Sequence, residues 1–277
     1  MIDIGRAAAR IAPFVVRTPV LHVTVLDTEV YVKAEYVQTG GAFKHRGATN
    51  AVQSLTDVDA ARGVAAHSSG NHAAALARAA KVRGIPAHVV MPEATTVVKR
   101  DAVEALGAQI TWCENTLEDR RRALARVLAD TGAVEIHPFD NDDVIAGAGT
   151  AALELLEAEP RLDVLVTPIG GGGLGSGTAI AAGGRRVVGA SPVDRGATIA
   201  DGLRTGTCAR TEAILTAHAV ERLTMGEDEI VEAMHAATGA LGHPIEPSAA
   251  VAFAAARTVA AKGLRIGVIA SGGNVES

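Results

Sequence analysis

Four short stretches of this chain carry residues able to do chemistry, and one of them is built around a lysine. In Gly40-Gly41-Ala42-Phe43-Lys44-His45-Arg46-Gly47-Ala48, Lys44 follows a glycine pair and opens what reads as a helix over 43–55. The helix dipole disfavours a cation at that end. A lysine held neutral there by desolvation is a nucleophile that condenses with a carbonyl to a Schiff base. The plainer reading is a solvated surface lysine. The second stretch, Gly170-Gly171-Gly172-Gly173-Leu174-Gly175, lies between a strand pattern and a helix pattern. Consecutive glycines there present bare backbone N–H groups at a positive helix terminus, which suits a phosphate. No Lys-Ser/Thr pair follows, so a nucleoside-triphosphate P-loop is excluded. Gly170, Gly172 and Gly175 also satisfy G-x-G-x-x-G, with Asp194 about where a ribose-binding acid would fall. A dinucleotide therefore stays open as a ligand, and so does simple tight packing of helix on strand.

The other two stretches are Ser68-Ser69-Gly70-Asn71-His72 and Ser271-Gly272-Gly273-Asn274. Serine and asparagine are ordinary helix caps, which would explain one such residue. Capping does not explain why Ser, Ser, Asn and His come together. The remaining histidines, among them His22, His67, His88, His218 and His235, show no metal-ligand spacing and read as packing or surface residues.

All four stretches follow apolar runs and so belong at the carboxyl ends of buried strands, where open α/β sheets bind ligands. From Gly63 onward, short apolar strands alternate with helical patterns: 63–67, 87–91, 109–112 and 134–137 as strands, 71–82, 97–106 and 117–130 as helices. That rhythm means βαβ units around a parallel sheet. It continues with helix 144–157, strand 164–168, a helix ending at Ala182 and strand 187–190. It breaks over 191–211, then resumes with helices 228–241 and 248–262 and strand 266–270. Earlier, 4–12 reads as a short helix, 17–21 as an extended lead-in and 30–35 as a strand. No Ser/Gly-rich or Pro-rich linker divides the chain, so two lobes of one enzyme are expected.

Composition narrows the classes. The 277 residues suffice for a large core, but aromatics are only 3%, so that core must come from small aliphatic side chains. A net charge of −5 gives no footprint for nucleic acid or an anionic membrane. Arg120-Arg121-Arg122, with Glu118, Asp119 and Asp130 nearby, reads as a solvated helix face. Cys113 and Cys208 form neither a disulfide framework nor a metal site, which fits a reducing cytoplasm. Residues 1–6 lack a signal-peptide layout, and no apolar run is long enough for a membrane span.

Together the motifs resemble the serine/threonine dehydratase and serine racemase family, fold type II enzymes that use pyridoxal phosphate. The resemblance covers nearly the whole length. It rests on Arg17-Thr18-Pro19-Val20, Glu35-x-x-Gln38, Gly41-Ala42-Phe43-Lys44-x-Arg46-Gly47-Ala48, Ser68 to His72 and Met91-Pro92-x-x-Thr95. Further on it rests on His137-Pro138-Phe139-Asp140, Val144-Ile145-Ala146-Gly147, the glycine loop, Thr198-Ile199-Ala200-Asp201-Gly202, Glu246-Pro247-Ser248 and Ser271 to Asn274. It implies an α/β fold of two lobes, each a mostly parallel twisted sheet flanked by helices. Residues 1–50 and 138–277 would form a large cofactor-binding domain and 51–137 a small mobile one. Lys44 would hold the cofactor as a Schiff base and move protons at the substrate α-carbon. Phe43 would pack beside the ring, Asn71 would bond its hydroxyl, and Ser271 would face its nitrogen. Gly170, Gly171, Gly172, Gly173 and Leu174 would hold the phosphate. Ser68, Ser69, Gly70, Asn71 and His72 would embrace the substrate carboxylate, with Ser69 matching the second acid/base of racemising members.

The expected reaction is elimination of water from L-threonine or L-serine, giving a 2-oxo acid and ammonia. A serine at the pyridine nitrogen, unlike an aspartate, leaves the ring a milder electron sink and favours prompt loss of the β-hydroxyl. Racemisation and hydroxyaspartate dehydration are alternatives in the family. A nicotinamide-dependent oxidoreductase or a degenerate cofactor-binding protein are alternatives outside it. The resemblance further implies a homodimer. The chain departs from the family in five places. Ser191-Pro192 stands where Glu-Pro is usual, so a divalent-cation site is expected to be absent or weak. The segment before Thr198 is short, Ala42 replaces a serine, His45 is unusual, and neither a closing helix nor a regulatory domain is expected after Asn274.

Overall fold

A computed structural model describes residues 2–261 and 263–275 of the chain. In order, its elements are α1 (Ile4–Ile11), β1 (Val20–Val25), β2 (Thr28–Ala34), α2 (Lys44–Ser54), α3 (Asp57–Ala61), β3 (Val64–His67) and α4 (Asn71–Arg83). Then come β4 (Ala87–Pro92), α5 (Val97–Glu104), β5 (Gln109–Cys113), α6 (Leu117–Thr131), β6 (Val134–Glu135) and α7 (Asp142–Ala158). The chain continues with β7 (Val164–Pro168), α8 (Gly173–Ala181), β8 (Arg186–Pro192), α9 (Ala209–Ala217), β9 (Glu221–Met225), α10 (Glu227–Leu241), α11 (Pro247–Val259) and β10 (Ile266–Ala270).

Among the described residues these strands form two sheets, one of six strands in the order β1-β2-β10-β7-β8-β9 and one of four in the order β5-β4-β3-β6. Only the β1–β2 pairing is antiparallel. Central parallel strands are covered by helices on both faces, so β7 and β10 are mainly aliphatic and every residue in them is buried. Helix α11 lies against β10, β7 and β8, and its alanines from Ala249 to Ala256 are all buried beside Val251 and Phe253. Small side chains let that helix sit close to the sheet, which is how a chain with few aromatics fills its core.

Several elements differ from the sequence expectation. Strand β1 is more than a lead-in: it pairs with β2 through a tight turn at Leu26 and Asp27, both at positive φ (50° and 58°). That turn lacks the glycine or asparagine that usually advertises such a conformation. Helix α9 begins inside the aperiodic stretch, at Ala209, and strand β9 follows it. Strand β9 is an edge strand exposed along most of its length, so it shows no apolar run. The short α3, capped by Thr56, was likewise not legible. The expected end of α11 at Lys262 lies outside the described residues; the helix closes at Val259.

Candidate active site

The neighbouring strands β2, β10 and β7 each end in one of the chemistry-bearing stretches. After β2, Gly40 and Gly41 both take positive φ (77° and 73°) and turn the chain sharply before α2. A side chain at Gly41 would collide with the Asn274 amide. The turn is laced to the loop after β10: Phe43 N–H donates to Ser271 O at 3.0 Å, Gly273 N–H donates to Gly41 O at 2.9 Å, and Ala42 bridges Gly272. Lys44 is thereby set at the first turn of α2. It is half-buried, and its Nζ donates to Pro138 O at 2.9 Å and lies 5.2 Å from the Phe43 ring centre. No carboxylate pairs with it among the described residues. Desolvation lowers its pKa to about 8, so the free amine is within reach near neutral pH.

Two residues on, Arg46 anchors the same helix. It is fully buried and bidentate to Glu35, at 2.7 and 2.8 Å, and to Glu154, at 2.7 and 2.8 Å. Lys33 also pairs with Glu154 at 2.6 Å, and Thr18 Oγ1 donates to Glu35 at 2.5 Å. Glu35 closes β2 and Glu154 belongs to α7, so this network locks the start of α2 between them. It explains physically why Glu35 and Arg46 keep company with the lysine in sequence.

The third stretch comes from the other sheet. Ser68 to Gly70 follow β3, and Ser68 Oγ accepts Gly70 N–H at 3.3 Å. Ser69 shows no hydrogen bond among the described residues. Asn71 is committed on both sides: its Nδ2 donates to Glu246 at 2.8 Å and its Oδ1 accepts from Asn274 at 3.0 Å. Glu246 also accepts Asn274 N–H at 3.0 Å, and Asn274 donates to Gly40 O at 2.8 Å. Asn71, Glu246 and Asn274 thus link the two sheets at the site. Burial pushes the Glu246 carboxyl up to about 7, against the pull of its Asn71 and Asn274 donors. Sequence reading gave Glu246 no role, because a glutamate before proline looks like a helix start, which it also is. His72 is turned inward: it is buried, with Nε2 against Ile136 O at 2.8 Å and Nδ1 buried without a partner among the described residues. Burial, then the charge of Lys44, lowers its pKa to about 3 and keeps it neutral. His137, lowered to about 4 mainly by burial, accepts Asp140 N–H at 2.9 Å on Nδ1.

The glycine turn opens α8 and puts Gly170 to Leu174 at its N-terminus. Gly172 takes φ 91°, and any side chain on Gly171 would run into the Phe139 ring. Thr211 Oγ1 donates to Gly171 O at 2.9 Å. Ser271 is buried at the end of β10, and its hydroxyl has no hydrogen-bond partner among the described residues. The four sequence-selected stretches are therefore assembled by neighbouring strands and by the links from Asn274 to Asn71 and Gly40. Among the described residues no group of three metal-ligating side chains occurs. An open groove of about 710 Å³ lies elsewhere, over 191–196 and 222–224, and holds none of these residues.

A desolvated amine, a helix N-terminus with an unencumbered backbone and a neutral hydroxyl suit the aldehyde, phosphate and pyridine nitrogen of pyridoxal phosphate. Comparison with known proteins agrees. The family model for pyridoxal-phosphate dependent enzymes matches residues 11–272, and the chain belongs to that family. It is 40% identical to serine racemase of Oryza sativa subsp. indica, across 99% of this chain and 90% of that protein. It is 41% identical to the β-hydroxyaspartate dehydratase of Paracoccus denitrificans, across 99% and 96%. The structure of maize serine racemase superposes with a TM-score of 0.94 at 39% identity, covering 99% of this chain and 93% of that one. The fold is type II and the cofactor is pyridoxal phosphate, so the nicotinamide reading drawn from the glycine fingerprint is corrected.

Proposed function

We propose that this chain is an ammonia-lyase that removes the β-hydroxyl and the amino group of L-serine or L-threonine. The observation that carries it is Lys44, a desolvated amine with no carboxylate partner among the described residues, bonded to Pro138 beside the Phe139 ring that packs on the glycine turn, on a helix start tied to Ser271. When bound, the cofactor acts as an electron sink for the substrate α-carbon. Lys44 would hold it through its amine and, once the substrate's amino group has displaced that amine, the freed nitrogen would take the α-proton. Phe43 packs beside it, and Ser271 meets its ring nitrogen without imposing a charge. Gly170 to Gly173 and Leu174 hold its phosphate through backbone N–H groups. Ser68, Ser69, Gly70 and Asn71 bind the substrate carboxylate. Loss of water leaves an enamine that hydrolyses to the 2-oxo acid and ammonia. Beyond its bonds to Glu246 and Asn274, Asn71 keeps a second Nδ2–H and a second Oδ1 lone pair with which it would bond the ring hydroxyl.

A second reading is inversion of L-serine at the α-carbon. Ser69 supports it, a hydroxyl with no protein partner in a turn of the same site, and so does the similarity to serine racemases. Similarity to the Paracoccus enzyme supports hydroxyaspartate as a further substrate. A panel of L-serine, L-threonine and L-threo-3-hydroxyaspartate, assayed for 2-oxo acid and by chiral chromatography, separates these readings. No oxo acid from any of them would defeat the lyase reading. The two cysteines are unpaired, and no helix among the described residues is long and apolar enough to cross a membrane. These observations support a cytoplasmic enzyme, and family resemblance supports a homodimer, which sedimentation would test.

A further inference from the structure

Arg195 has no part in the reading above, yet its contacts reach the glycine turn from two sides. It lies just past β8, in the aperiodic stretch 191–211. Its guanidinium ties three points together: Nη1 donates to Leu203 O at 2.6 Å and to Thr205 O at 3.1 Å, and Nη2 donates to Ser191 Oγ at 2.7 Å. Ser191 Oγ passes the connection on, donating to Ile169 O at 2.9 Å, and Ile169 immediately precedes Gly170. On the other side, a side-chain carbon at Gly170 would meet Gly202 O at 2.9 Å and Leu203 Cα at 3.1 Å. Farther along the same segment, Thr207 and Thr211 lie against Gly172, and Thr211 holds Gly171 O. Residues 201–211 are therefore the outer wall of the turn, and Arg195 is the tie between that wall and β8.

The tie needs an arginine. Its planar fork reaches two carbonyls and a hydroxyl at once, whereas a lysine offers a single point of charge. All three partners are neutral, and no carboxylate pairs with Arg195 among the described residues, so the guanidinium spends its donors on backbone and hydroxyl rather than on an ion pair. Such charge-assisted bonds are the stronger kind.

We infer that Arg195 is a positioning residue for the cofactor phosphate: it clamps the 201–211 wall against Ile169 and Gly170, so that the N–H groups of the turn keep one fixed aim. The inference rests on reading the glycine turn as the phosphate cradle. Its test compares two ligands on cofactor-stripped protein, pyridoxal phosphate and pyridoxal, the second lacking the phosphate. Arg195→Ala is expected to weaken pyridoxal phosphate by about tenfold to a hundredfold, the value of charge-assisted bonds lost. Binding of pyridoxal should change by less than about twofold, because its aldehyde and ring are held by other loops. Arg195→Lys should recover part of the loss, and the ³¹P resonance of the bound phosphate should move in both variants. Equal weakening of both ligands, or no weakening of either, would overturn the inference. If the unaltered chain binds pyridoxal as tightly as pyridoxal phosphate, the cradle reading itself fails, a separate result. Should Arg195→Ala not fold, Ser191→Ala removes one arm of the tie and must lower the preference for the phosphate ligand in the same direction; an unchanged preference there overturns the clamp.

Discussion

Lys44 and Arg46 stand two residues apart on one helix, both withdrawn from water, and end in opposite electrostatic states. Arg46 meets two carboxylates in bidentate geometry, and its pKa is driven upward despite full burial. Lys44 meets only a carbonyl and an aromatic ring, and its pKa falls to about 8. The desolvation cost is common to both; the partner decides whether the charge stays. The chain thus keeps one cation to fix the helix and shifts the other toward the free amine. The ionic network also fixes the start of the helix that carries Lys44.

The largest effect expected from breaking this contrast is at Lys44. Lys44→Ala should abolish turnover and the cofactor's visible imine band, while borohydride should label Lys44 in the unaltered protein. The free amine should also govern cofactor uptake. With a pKa of about 8 against an ordinary 10.5, the nitrogen is mostly protonated at pH 7 and mostly free at pH 9. The rate at which cofactor-stripped protein recombines with pyridoxal phosphate should therefore climb through about pH 8 and level off above it. A rate limb centred near 10.5 would mean that Lys44 is solvated.

Next in size is Arg46. Arg46→Met leaves Glu35 buried with only Thr18 as donor, and removing one partner of such a network costs about 3–5 kcal/mol. That is a large part of a typical domain's stability, so urea unfolding should shift to much lower midpoint. Adding Glu35→Gln removes the orphaned charge and should restore part of the loss. If the double variant is no better than the single, shape rather than charge is the missing element.

Glu246 sharpens the comparison from the acidic side. Its carboxyl rises from the ordinary 4.5 to about 7. A folded-state pKa above the unfolded value means the native chain binds the proton more tightly. The resulting stability is complete below pH 4.5 and drains away as pH rises to 7. Glu246→Gln, which is neutral at every pH and can accept the same two N–H groups, should match the unaltered chain at pH 4.5. By pH 8 it should be more stable by up to about 3 kcal/mol. Thermal unfolding across that range reads the sign directly; no gain at pH 8 would mean the carboxylate ionises without cost.

What the sequence displayed was density. The Lys44 stretch, the four glycines and Ser68 to His72 each form a run of unusual residue types between a strand and a helix, Ser271 to Asn274 form one after the last strand, and periodicity places such junctions at the carboxyl edge of a sheet. Single residues whose meaning lies in a distant partner stayed hidden. Glu246 is 175 positions from Asn71, Phe139 matters because Gly171 leaves room for its ring, and Arg195 acts on a turn formed before it in the chain. The elements missed follow the same logic. Strand β9 is mostly exposed and the β1–β2 turn uses non-glycine residues, so neither carries the apolar or turn signal by which local reading works.

The smallest effect expected comes from an ion pair whose geometry rivals that of Arg46 but whose setting does not. Arg186 grips Glu221 with two bonds of 2.7 and 2.9 Å across β8 and β9, with both side chains over two-fifths exposed. Water competes for both groups and salt screens them, so Arg186→Ala should change unfolding by under about 1 kcal/mol, and less still in added salt. Set against Arg46→Met, the pair separates two explanations of why α2 is rigid. If the exposed fork proves as costly to lose as the buried one, bidentate geometry alone anchors the helix. If it is nearly silent, what holds Lys44 in register is the penalty of leaving a carboxylate stranded out of water.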